Sequence, residues 1–298
     1  MNDRFRRASR GFLTIPVLVA LVACGSDAST IVEDDAERVV TLTDGLTESV
    51  FALGLGDLVV GRDISSTLDE ASDIPIVTND HDVNPEALLA LRPTLVLIDE
   101  DTGPATAIDQ IRSMGVRVEV IPKATEIDRI VPRLREVATI FRVEERADRL
   151  AERIEADLSG VSDLPSTGVR VAFVYVRGPA GVYLMGGPGA GPDSVIAAAG
   201  AVDAGTAIDL ELPFTPLTPE AMVAAAPDVL LVTTTGLDSV SGIDGLLDLA
   251  GVAQTPAGKN RRVITVEDGL LFSFGPRTPG LVRNLHDEIA RLMTENGV

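Results

Sequence analysis

The chain has 298 residues, 45% of them hydrophobic and 23% charged. That is enough for one large domain or two lobes of about 100–150 residues each, and too apolar for a mostly disordered chain. Its 25 Lys+Arg against 45 Asp+Glu leave a net charge of −20, which repels phosphate backbones and argues against nucleic acid as a partner. One Cys and two His exclude a disulfide scaffold, a cysteine-ligated zinc or iron–sulfur site and a three-histidine metal centre.

Residues 1–23 read as an export signal. Arg4, Arg6, Arg7 and Arg10 form a positive segment, and residues 11–23 are an apolar run too short to span a bilayer as a helix. The run ends Leu21-Val22-Ala23-Cys24-Gly25-Ser26, which resembles a bacterial lipobox. The resemblance implies that Cys24 becomes the lipidated first residue of the mature protein. Residues 24–37 are polar and acidic, as suits a tether. The expected location is the extracytoplasmic face of a cell membrane, with lipid as the anchor and the fold in water. The Arg6-Arg7 pair does not choose between the general and the twin-arginine export routes.

Beyond the tether, residues 39–42 read as a strand, 47–53 as a helix and 58–61 as a second strand. Residues 84–97, NPEALLALRPTLVL, return in diverged form at 218–231 as TPEAMVAAAPDVLL, 134 positions later. In each copy a capping Asn84 or Thr218 precedes a proline at the first helical position. A short apolar helix follows, Pro93 or Pro227 stops it, and an all-apolar strand comes next, at 95–98 or 229–232. Such strands indicate parallel sheet covered on both faces. Two copies indicate two α/β lobes, with further strands at 116–120, 169–176 and 263–266. With 8 Phe, 2 Tyr and no Trp, the core is expected to be aliphatic. Residues 126–160 are charged and helical in period, and read as one long helix joining the lobes beside a cleft. The expected divisions are 38–123 for the first lobe, 124–162 for the linking helix and 163–298 for the second lobe.

Together these elements resemble the class III substrate-binding proteins of ABC importers, which capture iron-siderophores, cobalamin or heme. The segments FVYVRGPAGVYLMGG (173–187) and SFGPRTPG (273–280) are more narrowly similar to the heme-binding, HmuT-like lipoprotein branch. The resemblance implies an α/β fold of two Rossmann-like lobes linked by one long helix. It also implies a monomer that is not an enzyme, with ferric heme b as cargo and an ABC permease and its ATPase as partners. An iron-siderophore or cobalamin is the alternative cargo. No Gly-x-Ser-x-Gly motif occurs, which argues against a hydrolase on the same scaffold.

Heme needs an apolar slot, axial ligands and donors for its propionates. His81 lies in Thr78-Asn79-Asp80-His81-Asp82-Val83, just before a helix start, where the resemblance implies a His ligand to heme iron. Tyr175 and Arg177 share one face of a strand. A cation beside a phenol favours the phenolate that binds ferric iron, and the resemblance implies Tyr175 as the second axial ligand. Tyr183 is the alternative tyrosine, and reads as pocket wall or core. His286 falls on the apolar stripe of the last helix and reads as a core residue. Arg277 is a candidate donor to the propionates, and Phe214 and Thr234 are candidate pocket residues. The glycines at 186–191 lack the Lys-Ser/Thr ending of a phosphate loop and read as a turn. In the resembling family an acidic residue on each lobe meets the permease. Glu48 and Asp193 hold matching positions here, where both also suit a helix N-terminus.

Overall fold

The computed structural model describes residues 37–79 and 82–295. The export segment, Cys24 and His81 lie outside the described residues. The strands are β1 (Val39–Thr41), β2 (Val59–Arg62), β3 (Thr78–Asn79), β4 (Asp82–Val83), β5 (Leu95–Ile98) and β6 (Arg117–Val120). They continue with β7 (Arg170–Arg177), β8 (Val182–Gly186), β9 (Val202–Asp203), β10 (Phe214–Pro216), β11 (Val229–Thr233) and β12 (Val263–Val266). The first sheet runs β2-β1-β5-β6 and is parallel throughout. The second runs β10-β8-β7-β11-β12, parallel from β7 to β12 and antiparallel at the β8–β10 edge, with β9 beside the start of β7.

The helices are α1 (Asp44–Ala52), α2 (Pro85–Ala90), α3 (Ala105–Ser113), α4 (Ile130–Phe141), α5 (Glu144–Ser162), α6 (Pro192–Ala198) and α7 (Pro219–Ala225). Then come α8 (Thr234–Ser239), α9 (Ile243–Leu247), α10 (Pro256–Lys259), α11 (Asp268–Ser273) and α12 (Thr278–Glu295). The repeated element folds twice in the expected way. Asn84 accepts from the Ala87 amide at 3.0 Å and Thr218 from the Ala221 amide at 3.1 Å. Each caps a helix with proline in its first turn, and each helix leads to a fully buried strand, β5 or β11.

Strand alternation divides the core. Val39, Leu95 and Leu97 face one way in the first sheet; Val40, Val96 and Ile98 face the other. In the second sheet Val171, Phe173, Val229 and Leu231 oppose Ala172, Val174, Val176, Leu230 and Val232. The Val39 face and the Val171 face belong to one continuous core, which also takes Leu134 and Val137 of α4, Ala147 and Ile154 of α5, and Leu285 and Ile289 of α12. The lobes therefore share buried surface.

The connection differs from the single long helix expected. Arg142 adopts a left-handed conformation (φ 56°) that ends α4, and α5 doubles back along it. Arg135 of α4 reaches Asp148 at 3.4 Å and Glu155 at 3.9 Å on α5. The two helices are thus a hairpin packed on the shared core, each with its own apolar stripe. His286 is buried and its Nδ1 lies 2.9 Å from the Ala199 carbonyl, so it ties α12 to the end of α6.

Candidate functional site

The lobes meet at a seam of small residues and charges. A Cβ on Gly45 of α1 would lie 2.0 Å from the Ser273 carbonyl oxygen, and one on Gly269 would lie 2.3 Å from the Ser65 carbonyl oxygen. Only glycine permits so close an approach at these two points. Arg133 of α4, itself buried, donates to the Ser273 carbonyl at 2.9 Å and to the Thr43 hydroxyl at 3.2 Å.

Two carboxylates of α1 are sealed into this seam. Asp44 is 3% exposed and Glu48 2% exposed. Arg277 closes over both, with Nη2 3.5 Å from Asp44 Oδ2 and Nε 3.3 Å from Glu48 Oε2. The Arg277 amide also donates to Glu48 Oε1, and Asp44 Oδ1 accepts from the Thr67 amide at 2.9 Å. Burial pushes the Asp44 carboxyl up to about 7, and the neighbouring Glu48 charge adds to the rise; Arg277 opposes it. Burial raises Glu48 as well, again against Arg277.

These contacts correct two expectations. Glu48 cannot meet a permease from this position, because its carboxylate faces the other lobe and not solvent. Arg277 is not a free donor for propionates, because its guanidinium already serves two buried carboxylates.

Beside the seam lies a cavity of about 280 Å³ lined by residues of both lobes and of the α4 segment. Its aromatic wall consists of Tyr175, Phe214, Phe272 and Phe274. The rings of Phe173 and Phe214 are 6.5 Å apart, those of Tyr175 and Phe214 6.0 Å, and those of Phe173 and Phe272 5.7 Å, all edge to face. Lys123, Arg133 and Arg177 supply positive charge; Asp44, Asp99 and Asp268 supply negative charge. A second cavity of about 450 Å³ shares Ser65, Arg177 and Asp268 with the first, and is lined further by Thr234, Thr235 and Glu267.

The Tyr175–Arg177 pair takes a definite form. The Arg177 guanidinium lies over the Tyr175 ring, 4.5 Å from its centroid. It donates to the Val176 carbonyl at 2.9 Å and to Asp268 Oδ1 at 2.8 Å. Tyr183 goes elsewhere. It pairs across the strands with Val176, while Tyr175 pairs with Leu184, and cross-strand partners share a face. Tyr183 thus packs against the core on the outer face of the second sheet, which selects core over pocket wall for it, and it does not line the aromatic cavity.

Phe214 falls in the wall as expected, and Thr234 lines the adjoining cavity. Thr78 and Val83, which flank His81 in the sequence, line a third cavity together with Thr43, Ser65 and Asp99, and these last three also line the first. The glycines at 189 and 191 serve their own helix: both amides donate to the Asp193 carboxylate at 2.8 Å. Asp193 is half-buried, on a rim shared with Glu126, Asp128 and Asp203. Lys123 and Asp268 were not expected at the site. Lys123 is one of only two lysines in the chain, and that scarcity was the available signal. Asp268 offered none, since its partner lies 91 positions away.

A family model described as periplasmic binding protein matches residues 39–269. The chain belongs to the periplasmic binding protein family. Members of this family bind substrates for transport and are not enzymes, and this one is an extracytoplasmic binding protein of the ABC-importer type. It is similar to the periplasmic heme-binding protein RhuT from Roseiflexus sp. RS-1, solved in apo form, with 37% identity and a TM-score of 0.82 over 86% of this chain and 99% of that one. It is 26% identical to the ABC transporter substrate-binding lipoprotein YvrC of Bacillus subtilis over 97% of this chain and 91% of the relative. It is 31% identical to the vitamin B12-binding protein of Yersinia pestis over 43% of this chain and 46% of that protein. No helix among the described residues of this periplasmic binding protein is long and apolar enough to cross a membrane.

Proposed function

We propose that this periplasmic binding protein captures ferric heme and delivers it to an ABC permease and its ATPase. The observation that carries the reading is Tyr175, set in a wall of phenylalanine rings with the Arg177 guanidinium 4.5 Å from its ring centroid. An apolar aromatic wall suits the porphyrin face, and a phenol beside a cation suits ferric iron. Arg177 is committed to Tyr175 and Asp268. Lys123 is about half exposed and paired with the exposed Asp101 at 2.5 Å, where Arg277 is held by two buried carboxylates, and it takes over the propionate role first given to Arg277. His81, between β3 and β4 in the sequence, supplies the second ligand in this reading. The similarity to a heme-binding protein over most of both chains supports heme more strongly than the shorter match to a B12-binding protein supports cobalamin.

Titration of the purified protein with ferric heme and with cobalamin, followed by absorbance, tests the proposal. Heme is expected to give a Soret band that saturates near one equivalent. Tyr175→Phe is expected to alter that ferric spectrum and to weaken binding by about tenfold or more, a difference of at least ~1.4 kcal/mol. Saturable cobalamin binding with no Soret change on adding heme would replace heme as the cargo.

Membrane attachment rests on Cys24. Cells expressing the chain with a labelled fatty acid are expected to incorporate label into the protein, and Cys24→Ala is expected to abolish it. Undiminished labelling of Cys24→Ala would remove the lipid anchor from the proposal.

A further inference from the structure

The Arg177 side chain is a long, flexible cation on a strand end, and it is held by hydrogen bonds at both Nη atoms. Its Nη2 meets Asp268 Oδ1 at 2.8 Å, and the other Asp268 oxygen accepts from the Thr235 amide at 3.1 Å. Asp268 begins α11, directly after β12 and Glu267. Its two oxygens therefore join three segments of the second lobe: the end of β7, the start of α8 and the start of α11. The pair is only partly exposed, with side-chain exposures of 26% for Arg177 and 21% for Asp268. Both residues line both adjoining cavities, as Ser65 does, so the ion pair lies where the two meet.

Without Asp268, the guanidinium would keep only the Val176 carbonyl at 2.9 Å and a long contact to the Thr233 hydroxyl at 3.5 Å. Both of those engage Nη1 alone, and leave the plane of the group free to turn. Asp268 supplies the hydrogen bond at Nη2, on the other edge of the group that lies over the Tyr175 ring.

We propose that Asp268 is a positioning residue for ligand capture: it holds the Arg177 guanidinium over the Tyr175 ring and so fixes the setting in which the phenol oxygen meets ferric iron. This rests on the reading of Tyr175 as an iron ligand. Asp268 touches neither iron nor porphyrin in this scheme. Its action passes through Arg177, which makes its effect conditional on Arg177 being present.

The test is a set of ferric-heme titrations and absorbance spectra on the full chain, for wild type, Tyr175→Phe, Arg177→Ala, Asp268→Ala, Asp268→Asn and the double variant Arg177→Ala/Asp268→Ala. Asp268→Ala is expected to weaken binding by about tenfold, the order for losing one partly exposed charge-assisted contact, and to move the spectrum toward that of Arg177→Ala. Asp268→Asn keeps an oxygen acceptor for the guanidinium and is expected to retain more of the wild-type spectrum. In the Arg177→Ala background, removing Asp268 is expected to change neither affinity nor spectrum further. Melting curves identify any variant that has lost its fold, and Asp268→Asn keeps the comparison available if Asp268→Ala has.

An equal loss on removing Asp268 with and without Arg177 would show a purely architectural role and overturn the inference. So would a wild-type spectrum and affinity in both Asp268 variants while Tyr175→Phe is impaired. A silent Tyr175→Phe would instead overturn the ligand reading itself, and the inference with it.

Discussion

Arg277→Ala should destabilise the protein by about 2 kcal/mol at pH 8, below the range for a fully buried ion pair because the Arg277 side chain is itself 33% exposed. The melting temperature should fall by about 4–8 °C at this chain length. The cost comes from what is left behind. Glu48 and Asp44 stay buried among α1, α4 and the 273–278 segment, and Arg133 is committed to the Ser273 carbonyl and the Thr43 hydroxyl. Water can replace the one-third-exposed guanidinium only from its outer side, so a carboxylate buried beneath it must bear its charge poorly compensated or take up a proton. The loss should therefore shrink as pH falls toward 5. Glu48→Gln in the Arg277→Ala background should recover part of it, since a neutral amide needs no counter-charge. An Arg277→Ala protein that melts like wild type at pH 8 would mean that the carboxylates find other partners and that the seam is not held by charge.

Asp44→Asn should act in the opposite direction. The unfolded carboxylate titrates near 3.8 and the folded one at about 7. Between those values the native state holds a proton that the unfolded chain has released. The stability associated with Asp44 is thus complete below about pH 4 and is lost progressively until pH rises past about 7. Each tenfold difference in proton affinity between the folded and unfolded chain is worth ~1.4 kcal/mol, so the ceiling is about 4 kcal/mol. Coupling to Glu48 and the lost attraction to Arg277 reduce what the variant recovers to about 2 kcal/mol, or on the order of 5 °C. Asp63 also faces Asp44, and its negative charge adds to the rise. Asn keeps an acceptor for the Thr67 amide. Melting Asp44→Asn and wild type across pH 4–9 checks the sign: the variant should be level with wild type at the acid end and more stable above pH 7. A variant less stable than wild type throughout would show that the ion pair with Arg277 outweighs the desolvation of Asp44.

Much of the architecture was legible because it is local. The Asn84-Pro85 and Thr218-Pro219 starts, the prolines that follow each helix and the all-apolar strands are written within fourteen-residue windows, where capping and alternation act directly. Tyr175 and Arg177 share a face for the same reason. Their strand neighbour Val176 also decides between pocket wall and core for Tyr183, since the pairing of β7 with β8 sets which face Tyr183 takes. The break at Arg142 was hidden because its left-handed backbone is carried by an arginine where glycine or asparagine is the usual residue. Glu48 and Arg277 were misread for a different reason. Each looks solvent-facing in its own segment, and only a contact spanning 229 positions buries them. Such pairings follow from how the lobes dock, and no periodicity records that.

The glycine seam bears on how affinity should be read. A receptor that alternates between open and closed forms binds with its intrinsic dissociation constant divided by the closed fraction, so part of every contact is spent on shutting. In this protein the backbone of Gly45 rests on that of Ser273, and Gly275 rests on the Glu48 carboxylate. The sheets on either side share one core. Walls already at contact distance at the foot of the cleft are preorganised, and the entropic cost of bringing them together falls on folding and not on capture. Changes in measured affinity among cleft variants are then expected to report the setting and contacts of the cleft side chains more than the work of closing the foot of the cleft.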